Sequence, residues 1–334
     1  MQWYKEGKTA LTFDDVLIRP AYSELTSRQD VDITTEFPWP INMIEANLFI
    51  APIMVANMRS LATVAMAQAL LPENILVPAH RFQTIDEELN IVENTTSSIC
   101  SASIGLHDRD RTEIMADKHS ILFLELAHAD SKQAVDEIKW IKQNFKNKLL
   151  IVGNVATYDG AARLFASGAD VCKCGIGSGS ICTTRIVTGT GVPQFSAIAE
   201  CVKAGPTIGD GSIRCSGDVV KCLAAGAKAV MIGSLFAGTE EAAGEVVEGR
   251  KVFFGMASKD NGQVRDGNVP EGISHTVPYV GSALTIAKNL LGGIRQGLAM
   301  VGAANLKELR EMAVFQRVSH ATGYENHPHI KYRK

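Results

Sequence analysis

Short apolar runs alternate with longer stretches of helical period along most of this chain. The runs are IAPIMVA (50–56), NILVPA (74–79), SICSASIG (98–105), SILFLELA (120–127), LLIVGN (149–154), ADVCKCG (169–175), PTIGD (206–210) and AKAVMIG (227–233). They are short and often rich in Val and Ile, as buried parallel strands are. The stretches between them include LATVAMAQALL (61–71), SKQAVDEIKWIKQNF (131–145), YDGAARLFASGA (158–169), FSAIAECVKA (195–204) and SGDVVKCLAAGA (216–227). In 131–145, Ala134, Val135, Ile138 and Ile141 recur at helical spacing, which predicts one apolar face. Gly168, Gly205 and Gly226 follow such stretches and fit left-handed helix ends. Two more helices are expected near 282–299 and 304–313. Eight strands with helical connections predict an α/β fold, a (β/α)₈ TIM barrel, as one domain over 1–334. The competitor is an open doubly wound sheet, which wants a glycine-rich turn after its first strand. Here NMRSLAT follows, without glycine.

In such a barrel the reactive groups lie at the carboxyl ends of the strands. Those ends carry Asn57-Met58-Arg59, His80-Arg81-Phe82, Gly105-Leu106-His107, Glu125 with Ala127 and His128, Gly153-Asn154, an active-site loop at about 175–192, Asp210-Gly211-Ser212 and Gly233-Ser234. The strand bodies are nearly free of charge. Polar groups and glycines therefore converge on one face.

Composition narrows the function classes. Apolar residues make up 46%, charged residues 21%, and the formal net charge is −3, so no nucleic-acid surface is expected. The basic tail HPHIKYRK (327–334) reads as solvated. No apolar run approaches the roughly 18 residues of a membrane span. The start MQWYKEGK lacks a signal-peptide core. Seven cysteines without small-domain spacing read as free thiols, so a reducing, cytoplasmic setting is expected.

Two strand ends suggest a phosphorylated sugar. Phosphate often binds a barrel after its seventh and eighth strands. The amides of Gly211, Ser212, Gly233 and Ser234 are expected to face an anion, with the Ser234 hydroxyl as a further donor. Asp210 would repel phosphate but accepts hydrogen bonds from a sugar diol. The loop after the sixth run, GIGSGSICTTRIVTGTG (175–191), holds Cys182, followed by Thr183, Thr184 and Arg185. A cysteine becomes a nucleophile when its thiolate is stabilised and reachable. Arg185 is expected to favour that thiolate and Thr184 to relay a proton. Carbonyls of Gly177, Gly179 and Cys182 would suit a monovalent cation. Cys172 and Cys174 are expected to face inward as barrel packing, and Cys201, Cys215 and Cys222 to be protected filler. A flap at about 251–281 carries Glu271 and could cover the barrel mouth.

The stretch CKCGIGSGSICTTRIVTGTGVPQ resembles the inosine monophosphate dehydrogenase and guanosine monophosphate reductase family. LTFDDVLIRP (11–20), GNVAT (153–157), DGSIRCSGDVVK (210–221), MIGSLFAGTEEAAGE (231–245) and LLGGIRQGLAMVGA (290–303) extend the likeness from about residue 8 to 315. The resemblance implies a barrel that forms homotetramers and binds a purine nucleoside monophosphate. Cys182 would attack purine C2, with Thr184 and Glu271 handling protons. Asp210 would hold the ribose, and Ser180, Ser212, Gly233 and Ser234 the 5′-phosphate. Asn57, Gly211, Met256 and Arg185 complete the expected substrate side. Glu125, Ala127, His128, Gly175 and Asn154 form the expected NADPH side, and potassium is the expected cation.

The branch is read from two omissions. Dehydrogenases of the family usually insert a regulatory domain after the second barrel unit, and 57–99 leaves no room for one. They also carry a longer flap with an Arg-Tyr pair that activates water. Here GMAS (255–258) is joined to PEG (270–272) by KDNGQVRDGNV alone, and Arg265 has no tyrosine after it. The resemblance is therefore closer to the reductase, which converts GMP to IMP and ammonia. A dehydrogenase lacking the regulatory domain and a nucleotide-binding protein without turnover are the alternatives. Five positions depart from the family pattern. Arg59 and Glu125 stand where aspartate is usual, and no glycine follows His128. Ser212 replaces a glycine and Phe253 a tyrosine.

Overall fold

The apolar runs become a ring of parallel strands. A computed structural model of the chain describes residues 9–38, 48–93, 101–254, 269–319 and 321–326. Its central strands are β1 (Ile53–Val55), β2 (Ser101–Ile104), β3 (Ile121–Glu125), β4 (Leu149–Val155), β5 (Val171–Cys174), β6 (Thr207–Asp210) and β7 (Ala229–Ile232). They hydrogen-bond in the order β1-β7-β6-β5-β4-β3-β2, all parallel. The run at 74–79 supplies the remaining stave as isolated parallel bridges, Met54 with Leu76 and Ala79 with Ala102. Val55 N donates to Leu76 O at 3.0 Å and Ser103 N to Ala79 O at 3.1 Å, so this segment joins β1 to β2. Pro78 has no N–H to give, which explains why the stave is bridges rather than a full ladder. The α/β barrel expected from the periodicity is thus present, and the open sheet is not.

Helices cover the outside. Lys132–Asn144 buries Ala134, Ile138 and Ile141 against the strands, while Val135 is only half-buried. Each fully buried isoleucine contributes roughly 1.5–3 kcal/mol. Ser131 caps this helix by accepting from Ala134 N, a bond whose loss costs about 1 kcal/mol. Gly168 and Gly226 have φ of 113° and 114°, as expected after helices. Gly205 is not among the positive-φ residues; a Cβ there would press on the Phe165 ring, so close packing is its reason. The helices Ile85–Glu93 and Arg109–Lys118 were not singled out by periodicity, since both are rich in charged residues.

Two additions frame the barrel. Val16–Ile18 pairs antiparallel with Phe315–Arg317, bringing distant parts of the chain together. Beyond β7, β8 (Arg250–Phe254) pairs antiparallel with β9 (Ser274–Pro278), in register from Arg250 with Pro278 to Phe254 with Ser274. The expected flap is therefore a ribbon at its base. Its residues 255–268, Met256 among them, lie outside the described residues.

Candidate active site

Strand β5 delivers the cysteine loop to the barrel mouth, and side chains on neighbouring segments fix it there. Ser178, buried in the loop, donates from Oγ to the Asp210 carbonyl at 2.7 Å. Its own carbonyl accepts Ser212 N at 2.9 Å and Ser212 Oγ at 3.0 Å. At the end of the loop, Gln194 Nε2 donates to the carbonyls of Cys174 (2.9 Å) and Asp210 (3.0 Å). A Cβ at Gly175 or Gly211 would run into these Asp210 and Ser178 atoms, and both glycines have positive φ. Their freedom lets the two strand ends interlock.

The same loop is zipped to the returning end of the flap. Cys182 and Gly272 form an antiparallel bridge, Thr183 N donates to Glu271 O at 2.8 Å, and Ile273 N donates to Ile181 O at 3.1 Å. This pairing brings three expected catalytic groups into one chain of hydrogen bonds. The Cys182 thiol donates to Thr184 Oγ1 at 3.1 Å, and the Thr184 hydroxyl donates to Glu271 Oε2 at 2.6 Å. A half-buried thiol thus connects through a hydroxyl to a carboxylate. Such an arrangement can move a proton to or from a group held at the sulfur.

Arg185 does not join that chain. Its Nη2 donates to Val192 O at 2.7 Å, and its stem packs on Gly177 and Gly191. It ties the loop's two halves together rather than pairing with the sulfur. The Gly179 carbonyl, expected to face a cation, accepts Cys182 N at 3.1 Å. A carbonyl oxygen has a second lone pair, so a cation contact stays compatible with this turn. Ser180 is exposed at the tip of the same loop.

Asp210 ends β6 and is oriented from below. Its Oδ2 accepts Lys173 Nζ at 2.8 Å and Asn154 Nδ2 at 2.8 Å. Asn154 Nδ2 also donates to Gly175 O at 2.7 Å. Lys173 pairs on its other side with Glu125 Oε1 at 3.0 Å; Lys173 and Glu125 are each 3% exposed. Burial alone would lower the Lys173 pKa, but the Asp210 and Glu125 carboxylates outweigh it and hold the ammonium above lysine's ordinary value.

Around this centre the remaining candidates fall into three groups. Gly233 and Ser234 open the short helix Ser234–Ala237 after β7, and the Ser234 hydroxyl has no partner among the described residues. The buried Phe253 ring stands beside Gly233, where a tyrosine would add a hydroxyl. Ser212 is a correction to the expected anion cradle: its amide and hydroxyl both face Ser178 O, because the interlock uses them. Asn57 is buried and donates from Nδ2 to Ser103 Oγ at 2.7 Å. Burial, followed by the Arg59 charge, pushes the neighbouring His80 imidazole down to about 4.

On the expected cofactor side, Ala127 and His128 are exposed at the rim. Asn154 Oδ1 is buried with no partner among the described residues, an acceptor that fits an N–H or O–H of a bound cofactor. Gly175, by contrast, is engaged in packing against Asp210.

The thiols also need two corrections. Cys172 and Cys174 are buried but face the helices, not the barrel lumen: Cys172 Sγ lies 3.2 Å from Thr207 Oγ1, and both neighbour Cys201. Alternation along β5 then turns Lys173 to the lumen. Cys215 is exposed rather than protected. Lys173, Ser178 and Gln194 were missed as site residues. Lys173 carried a signal, a lone charge within the apolar run ADVCKCG. Ser178 and Gln194 carried none, because their partners lie far along the chain.

A family model described as IMP dehydrogenase / GMP reductase domain matches residues 10–329. The chain belongs to this family. Members of it are similar over nearly the whole length. A GMP reductase of Aliivibrio salmonicida is 37% identical over 335 residues, covering 94% of this chain and 96% of its own. A GMP reductase of Vibrio campbellii is 37% identical with the same coverage. One from Onchocerca volvulus is 37% identical over 341 residues, 95% of this chain and 93% of its own. Membership in the IMP dehydrogenase / GMP reductase family accounts for the barrel. Among the described residues, no helix is long and apolar enough to cross a membrane.

Proposed function

We propose that this protein is a GMP reductase-like oxidoreductase, converting GMP to IMP and ammonia with NADPH. The observation that carries the reading is the Cys182–Thr184–Glu271 chain at the barrel mouth. Cys182 Sγ adds to purine C2, and the C2–N2 bond breaks to release ammonia. The thiol proton, passed through Thr184 Oγ1 to the Glu271 carboxylate as the sulfur adds, returns by the same path to the leaving amine. NADPH, when bound, supplies the hydride that takes the place of the amine. The S–C2 bond then breaks and the sulfur leaves as thiolate. Asp210 Oδ1 receives the ribose hydroxyls, while Gly233 and Ser234 hold the phosphate. Ala127, His128 and Asn154 line the cofactor side. The branch rests on the short flap, which lacks the Arg-Tyr pair needed to activate water for hydrolysis of a covalent adduct.

The test is absorbance at 340 nm. GMP plus NADPH is expected to lose absorbance, and IMP plus NAD to gain it far more slowly. Comparable XMP formation from IMP would move the protein to the dehydrogenase branch; no change in either assay would leave a binding protein. Potassium at the Gly177, Gly179 and Cys182 carbonyls, homotetramer formation and a cytoplasmic location belong to the same proposal. Exchange of potassium for lithium in the assay tests the first, and light scattering the second.

A further inference from the structure

The Lys173 ammonium is the least expected group in the barrel. It stands in the lumen, almost fully buried, between Glu125 Oε1 at 3.0 Å and Asp210 Oδ2 at 2.8 Å. Those two carboxylates end different strands, β3 and β6, on opposite sides of β5. Two acidic groups and one cation leave the cluster with a single net negative charge. Asp210 Oδ2 is committed to Lys173 and Asn154, which leaves Oδ1 free to meet a ligand at the mouth. Without the ammonium, two carboxylates would share a poorly solvated space, and one would take up a proton or turn away.

We propose that Lys173 is a positioning residue that keeps Asp210 charged and aims its free oxygen at the sugar diol of the nucleotide, with Glu125 as the balancing charge. The inference rests on the proposed nucleotide site. It gives Glu125, where the family usually has aspartate, an internal partner: its carboxylate turns down to Lys173 rather than out to the rim. Lys173 touches no reacting atom, and its effect travels through Asp210 alone.

The test is charge balance. K173M leaves the buried Glu125 and the half-buried Asp210 carboxylates without a cation, whereas K173M/E125Q returns the cluster to one negative charge. Breaking a buried pair from one side is strongly felt. K173M is expected to raise the KM for GMP by about thirtyfold or more, with a much smaller change in kcat. K173M/E125Q is expected to recover most of that loss, to within about tenfold of the parent protein. A lysine that merely supports the fold would give no recovery, because the second substitution removes a further buried contact. An unchanged GMP KM in K173M, or a double variant as weak as the single, overturns the proposal. If K173M does not fold, as judged by thermal melting, the double variant is read directly against the parent protein, and a loss above about thirtyfold overturns it. Failure of the nucleotide reading is distinguishable: the parent protein would then bind no GMP by calorimetry.

Discussion

Strand β3 buries an ionisable side chain near each of its ends, and the barrel treats the two oppositely. At the mouth, Glu125 faces Lys173, whose ammonium it shares with Asp210. At the base, His119 is 1% exposed, and neither ring nitrogen has a hydrogen-bond partner among the described residues. Burial, followed by the Lys148 charge, pushes its imidazole down to about 4, so it is neutral near pH 7. Equal burial therefore produces a charge network at one end and a silenced base at the other. The difference lies in partners. A buried charge persists where opposite charges surround it, and a buried base without them gives up its proton. Mouth variants should then change chemistry and binding, while base variants should change stability alone.

The strongest way to break this division is at Cys182. Cys182→Ala is expected to lower kcat by at least about a thousandfold, with GMP binding by calorimetry largely kept. Cys182→Ser should be nearly as inactive, because a hydroxyl is a weak nucleophile without a strong base. Turnover at the parent rate in either variant would reduce the loop to a binding feature. Next in size is the relay. Glu271→Gln keeps the hydrogen bond from Thr184 but removes the exchangeable proton. It should lower kcat about a hundredfold, with a smaller effect on the GMP KM. Equal losses in kcat and binding would make Glu271 a structural clasp for the loop.

Much of this arrangement was legible before any coordinates, and the reasons are specific. Each apolar run maps onto a strand or, at 74–79, onto bridges, because burial on both faces leaves a mark in composition. Cys182 and Thr184 lie within one glycine-rich loop, so local spacing pointed to them. Glu271 pairs with Thr184 across 87 residues; its own stretch of sequence placed it only on the flap, and its proton role was expected from the family resemblance alone. Ser178 and Gln194 were invisible for the same reason: what they do depends on Asp210, which folding brings beside them. The side of β5 taken by Cys172 and Cys174 was misread because alternation fixes that they share a face, not which face. A single lysine between them was the clue.

Smaller effects sharpen the picture. Ser234→Ala should raise the GMP KM roughly tenfold and leave the NADPH KM nearly unchanged. A hydrogen bond to a charged oxygen is worth about 1.5–3 kcal/mol, and neighbouring amides remain to share the load. An unchanged GMP KM would place the phosphate elsewhere. Thiol labelling gives a finer test. Among the described thiols, burial pushes Cys174 and Cys222 up, and the hydrogen bond with Cys201, followed by burial, does the same for Cys172, while Cys182 is half-buried and Cys215 exposed. Iodoacetamide at neutral pH should label Cys182 and Cys215 before Cys172, Cys174, Cys201 or Cys222. Bound GMP should slow labelling at Cys182 several-fold and leave Cys215 unaffected, as read by peptide mass spectrometry. Equal protection of both thiols would mean a global tightening rather than a purine over the sulfur.

The smallest effect on activity is expected at the base, and it tests the other half of the division. In the unfolded chain His119 takes a proton near its ordinary 6.5; in the folded barrel it does so only near 4. Below 6.5 the unfolded state therefore binds more protons, and stability falls with pH until the folded pKa is reached. The contribution is present above about pH 6.5 and lost between there and 4. At pH 5 one such site costs about 2 kcal/mol. His80, also held down to about 4, adds a second loss over the same window. His119→Leu has similar volume and no nitrogen to strand, so it should remove one of the two. Urea denaturation at pH 7 and pH 5 should show a smaller drop for the variant than for the parent, by roughly 2 kcal/mol. The kcat at pH 7 should stay within about twofold, because His119 lies a full strand away from the mouth. An identical drop in both proteins would mean that His119 finds a partner or takes its proton in the folded state, and the contrast between the two ends of β3 would fail.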